Sequence, residues 1–116
     1  MSLMNPAEEV RFPVGDFVID PIVTNEKRRR WIAEMAQAPA KLRFALAGLS
    51  DDQLNTHYRE GGWTLRQVVH HLADAHINGF VRFKLALTED NPLIKTYEET
   101  LWRKRLTGAK RRSNYR

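Results

Sequence analysis

Gly61-Gly62-Trp63-Thr64-Leu65-Arg66-Gln67-Val68-Val69-His70-His71-Leu72-Ala73-Asp74-Ala75-His76 is the stretch that decides the fold. It opens on a glycine pair that permits positive φ, so the chain can turn sharply into a helix. Thr64 and Gln67 then stand as a capping box: the hydroxyl accepts from the third amide, and the glutamine reaches back. From Leu65 the apolar residues fall at 65, 68, 69, 72, 77, 80, 83 and 87, which is helical spacing. The spacing predicts a helix to about Leu87, ended by Thr88 to Pro92.

Outward from this helix, the next strong pattern lies upstream. Apolar residues at 31, 32, 35, 36, 39, 42, 45, 46 and 49 predict a helix over about 26–47. Thr24 or Asn25 is its N-cap, Glu26 lies in its first turn, and Gly48 stops it. Pro39 inside it predicts a kink or a restart. Lys27 to Arg30 read as a solvated basic face. Ser50-Asp51-Asp52-Gln53 is a second capping box, opening a short helical turn. Residues 1–23 carry Pro6, Pro13 and Pro21 and read as an extended leader. Glu98 to Trp102 look like the first turn of a further helix, and residues 103–116 read as a basic, disordered tail. The expected domain organisation is thus a leader over 1–23, a helical domain over 24–102 and the tail. Two long amphipathic helices leave apolar faces that a bundle of four would cover.

Composition bounds the function. A chain of 116 residues is one domain at most, and without cysteine it has neither disulfides nor thiolate-ligated metal. No apolar run approaches a membrane span, and no secretory signal is recognisable, so no membrane partner and a cytoplasmic setting are expected. The net charge of +5 is a property of the C-terminal end. The sixteen residues 101–116 hold seven basic residues and no acidic one, leaving 12 basic against 14 acidic before them. No specific nucleic acid is therefore expected as a partner, although such a tail attracts polyanions without selectivity.

Three of the four histidines lie within residues 70–76. His76 falls near the middle of the apolar stripe of Leu65, Val69, Leu72, Phe80 and Phe83, and reads as a core histidine. His71 lies about 130° away on the helical wheel, on a polar stripe with Gln67, Asp74 and Asn78. Such a stripe is either a solvent face or a second inward face lining a polar pocket. His70 points elsewhere and looks exposed. Trp63 reads as a core anchor for the turn. No H-x-x-x-H or H-E-x-x-H occurs, so spacing alone supports no complete metal site, and no catalytic residue is assigned.

Further motifs extend the pattern: Phe12-Pro13-Val14-Gly15, Lys27-Arg28-Arg29-Arg30-Trp31-Ile32 and Ala38-Pro39-Ala40-Lys41-Leu42. Tyr58 to His76 and Arg82 to Glu89 complete them. Together they resemble the DinB/YfiT-like superfamily of metal-dependent hydrolases, in the YfiT branch that includes bacillithiol S-transferases. The resemblance implies an all-α fold, the N-terminal part of a four-helix bundle. It implies a divalent metal, nickel or zinc, held by three histidines, of which His71 is one and a late H-x-x-x-H pair the others. By geometry alone, Gln67, Asp74 and Asn78 are then candidates either to line the pocket or to support the metal ligand. An open coordination position lets such a metal lower the pKa of a bound water or thiol. A low-molecular-weight thiol and a small electrophilic substrate are the implied partners. The late pair is absent here, because family-like sequence gives way near Leu101-Trp102. The expectation is therefore a C-terminally truncated chain, inactive as written, or alternatively a non-enzymatic interaction module or homodimer.

Overall fold

Thr24 and Gly48 bracket the first helix in the computed structural model, which describes residues 11–106. Expectations for residues 1–10 of the leader and 107–116 of the tail lie outside the described residues. Within them the chain forms, in order, helices α1 (Asn25–Leu46), α2 (Asp51–Leu54), α3 (Leu65–Thr88) and α4 (Glu99–Leu106). Among the described residues there is no strand, only an isolated antiparallel bridge between His57 and Thr64. The fold is all-α, as the sequence patterns predict.

The chain divides into two units, Met1–Ser50 and Asp51–Arg116. In the first, the Thr24 hydroxyl accepts the Lys27 amide at 3.2 Å, so Thr24 rather than Asn25 is the cap. The residues just before it are tied to α1. Lys27 Nζ pairs with Asp20 at 2.6 Å and donates to the Ile22 carbonyl at 2.8 Å. At the other end Gly48 adopts a φ of +78°, which glycine tolerates without a Cβ clash. Of the kink or restart expected at Pro39, no restart occurs: the helix is continuous through it. One proline removes one backbone donor, and the bonds on either side carry the helix through.

In the second unit, α3 is the spine. Its capping box is complete: Gln67 N–H donates to the Thr64 hydroxyl at 3.2 Å, and Thr64 N–H to Gln67 Oε1 at 3.0 Å. Arg66 clips α2 to α3, donating to Asp51 at 2.8 Å and Asn55 at 3.0 Å. The glycine pair divides its labour. Gly61 alone takes positive φ, at +66°, whereas Gly62 is needed for space. A Cβ on Gly62 would lie 2.6 Å from Arg59 Cγ and 3.0 Å from the Tyr58 ring.

Two features of this unit depart from what the sequence predicts. First, α4 runs to Leu106, four residues past Trp102, and Arg103 is packed against the unit as part of that helix. Second, the apolar stripe of α3 is not a core. Among the described residues no hydrophobic side chain is buried, and Phe80 and Phe83 are 63% and 61% exposed. The partners of α3 in this unit are α2 and α4, and those short elements cannot cover a 24-residue helix.

Candidate metal centre and the polar face of helix α3

Within the second unit the polar stripe of α3 is covered in part: Gln67, His71 and Asn78 are half-buried and Asp74 is buried. Gln67, at its N-terminal end, accepts from Arg103 Nη1 of α4 at 3.5 Å as well as from the cap. One turn on, the half-buried His71 imidazole packs perpendicular to the Trp63 indole, ring centroids 5.0 Å apart and planes at 86°. The Arg103 guanidinium lies over the indole face, 4.6 Å from the Trp63 centroid. Trp63 is thus half-buried with a histidine and an arginine against its ring, rather than enclosed in an apolar core.

Beyond His71 the stripe continues into a cleft of about 730 Å³. Asp74 and Asn78 form its α3 wall, and Lys95, Tyr97, Glu98 and Trp102 face them. Asp74 is the one buried charged residue among those described, 7% exposed. Asn78 Nδ2 donates to the Asp74 carbonyl at 2.8 Å, a bond along the helix that fixes the amide. The Tyr97 and Trp102 rings pack together, centroids 4.9 Å apart.

The other histidines are elsewhere. His76 is exposed, with Nδ1 donating to the Leu72 carbonyl at 2.6 Å. Its place as a core histidine is therefore corrected: the stripe on which it sits is open. His70 is half-buried rather than exposed. His57 Nδ1 donates to the Gly62 carbonyl at 2.7 Å and so braces the loop before α3. Among the described residues no three His, Asp or Glu side chains converge on one point that could hold a metal ion. The donor set present does not fit a metal site, since His71 supplies a single imidazole where a closed set of three or four ligands is required.

An all-α unit whose longest helix turns a histidine and a buried aspartate inward defines a piece of a helical-bundle protein with a polar interior face. Comparison with known proteins gives the family. The sequence profile of the DinB superfamily matches residues 34–113, so the chain belongs to that superfamily. The match continues past Trp102, where the sequence motifs alone end the resemblance.

Individual relatives agree. A Geobacillus thermodenitrificans protein named "Putative metal-dependent hydrolase" is 50% identical over 101 residues, 87% of this chain and 57% of the relative. A Bacillus licheniformis protein of the same designation is 50% identical over 96 residues, covering 82% and 54%. The solved structure of YfiT from Bacillus subtilis, described as a probable metal-dependent hydrolase with an unusual four-helix bundle topology, is similar at a TM-score of 0.78. The sequence identity is 46%, and the match covers 81% of this chain and 54% of that one. The chain spans about half the length of the curated relatives it matches. No helix among the described residues is long and apolar enough to cross a membrane.

Proposed function

We propose that this chain carries one ligand, His71, of a metal-dependent hydrolase or thiol S-transferase, and that by itself it holds nickel or zinc weakly. The observation that carries the proposal is the inward setting of His71 against Trp63, on the same face as the buried Asp74. A half-buried histidine packed against an aromatic ring is restricted in orientation, which favours a metal ligand. The remaining two imidazoles are assigned to the late H-x-x-x-H pair of the family. The substrates of the assembled protein are a low-molecular-weight thiol and a small electrophile, in a cytoplasmic setting.

The test has two halves. The 116-residue chain, titrated with nickel or zinc against a colorimetric chelator, is expected to surrender the ion. Joined to the C-terminal half of the Bacillus subtilis relative, it is expected to retain one equivalent, and His71→Ala to abolish that retention. Retention unchanged by His71→Ala would sink the assignment. Thiol conjugation to a fluorogenic electrophile, set against ester hydrolysis in the same joined protein, separates transferase from hydrolase.

A second reading rests on the open stripe of α3. Ile77, Phe80, Phe83 and Leu87 are 60%, 63%, 61% and 81% exposed and recur at helical spacing. In that reading the chain is a non-enzymatic module that pairs with a second copy. A mass that rises with concentration in sedimentation, with no metal retained, favours it; a monomer at all concentrations rejects it.

A further inference from the structure

Asp74 is buried to 7% exposure, yet among the described residues no hydrogen bond or ion pair reaches its carboxylate. The neighbouring Asn78 amide donates to the Asp74 backbone carbonyl instead. The carboxylate lies at the cleft without a protein donor among the described residues, so a ligand that brings N–H groups and positive charge would complete it. Asp74 opens on the cleft of about 730 Å³, a volume within the usual range for small-molecule sites. The Tyr97–Trp102 pair also lines the cleft, and aromatic rings suit both a cation and its apolar body.

We propose that this cleft binds a small organic cation: a primary ammonium with an apolar body, its N–H groups on Asp74 and its body against Tyr97 and Trp102. The formal charges that line the cleft are Asp74, Glu98 and Lys95, which sum to a negative site. Lys95 is exposed, and its backbone carbonyl accepts from Arg82 at 3.4 Å, which ties the segment carrying it to α3. A primary ammonium is favoured over a quaternary one because only it can donate to the carboxylate. The site is separate from the metal proposal: no metal is needed for it, and Asp74 is not assigned as a ligand.

The experiment uses the full 116-residue chain and phenethylammonium as the probe, followed by tryptophan fluorescence and amide chemical shifts. A Kd of about 1 mM is expected for a ligand of this size in a half-open cleft. Phenethyl alcohol, the neutral analogue, is expected to bind about tenfold more weakly or worse, and 3-phenylpropionate not to bind at all. Asp74→Asn, which keeps the shape and removes the charge, is expected to erase the preference for the amine over the alcohol. The comparison of analogues on the unmodified chain holds even if that variant fails to fold. Equal binding of amine and alcohol overturns the proposal, as does a divalent ion that displaces the amine one for one.

Discussion

The Trp63 indole meets the His71 imidazole at 5.0 Å with the two planes nearly perpendicular, and carries the Arg103 guanidinium over its ring at 4.6 Å. One residue of the turn before α3 thereby joins the middle of that helix to α4. Trp63→Leu removes both contacts. It is expected to cost about 2 kcal/mol in urea denaturation, the range for losing a half-buried aromatic and its cation partner. The His71 ring resonances should move in the same variant, because the imidazole loses the ring current of its neighbour. Unmoved His71 resonances would show that the ring contact is absent in solution.

Glycines 61 and 62 answer different demands, so they should fail differently. Gly62→Ala places a Cβ against Arg59 Cγ at 2.6 Å and the Arg59 carbonyl oxygen at 3.1 Å, and is expected to cost about 1–3 kcal/mol. Gly61 has nothing within 4 Å of its Cβ position, but its φ is +66°. Gly61→Ala is expected to cost about 1–2 kcal/mol, and Gly61→Asn less, since asparagine visits this region more readily. Equal losses for alanine and asparagine at position 61 would remove the backbone explanation.

The α3 cap is a third point. Thr64→Ala leaves the Gln67 amide without its acceptor at 3.2 Å and is expected to cost about 1 kcal/mol. Thr64→Ser should recover most of it. The readout is thermal unfolding followed by far-ultraviolet dichroism, and an alanine variant as stable as the parent would mean that water serves the amide equally well.

Asp20 gives a pH prediction. The hydrogen bond from Lys27, followed by that from the Ile22 amide, holds its carboxyl below the ordinary aspartate value. Its folded-state pKa is thus lower than in the unfolded chain. The contribution is complete above the ordinary value and lost as pH falls through the lowered one. Acidification should therefore free the Ile22 amide, seen as faster hydrogen exchange, over a range below that of an unpaired aspartate. Asp20→Asn should make that exchange independent of pH, apart from the intrinsic rate.

The limits of α1 and α3 are legible in the sequence because their causes are local. A threonine cap, a glycine stop and apolar residues three or four apart act within a turn or two of chain. The inward turn of His71 is legible only through family likeness; the stripe of Gln67, His71, Asp74 and Asn78 fits a solvent face just as well. Periodicity misplaces Arg103 and His76 for the same reason, since burial is set by elements far away in sequence. Arg103 reads as one basic residue among several, until α4 brings it 36 positions back along the chain to Gln67.

By itself, then, the sequence determined where helices begin and end and which residues share a face, because backbone hydrogen bonding and side-chain periodicity are short-range. Only the tertiary structure decided which face is covered. That choice places His71 against Trp63 and sinks Asp74 beside an aromatic pair. It also leaves Phe80 and Phe83 open, because burial depends on what packs across a helix and not on the helix alone.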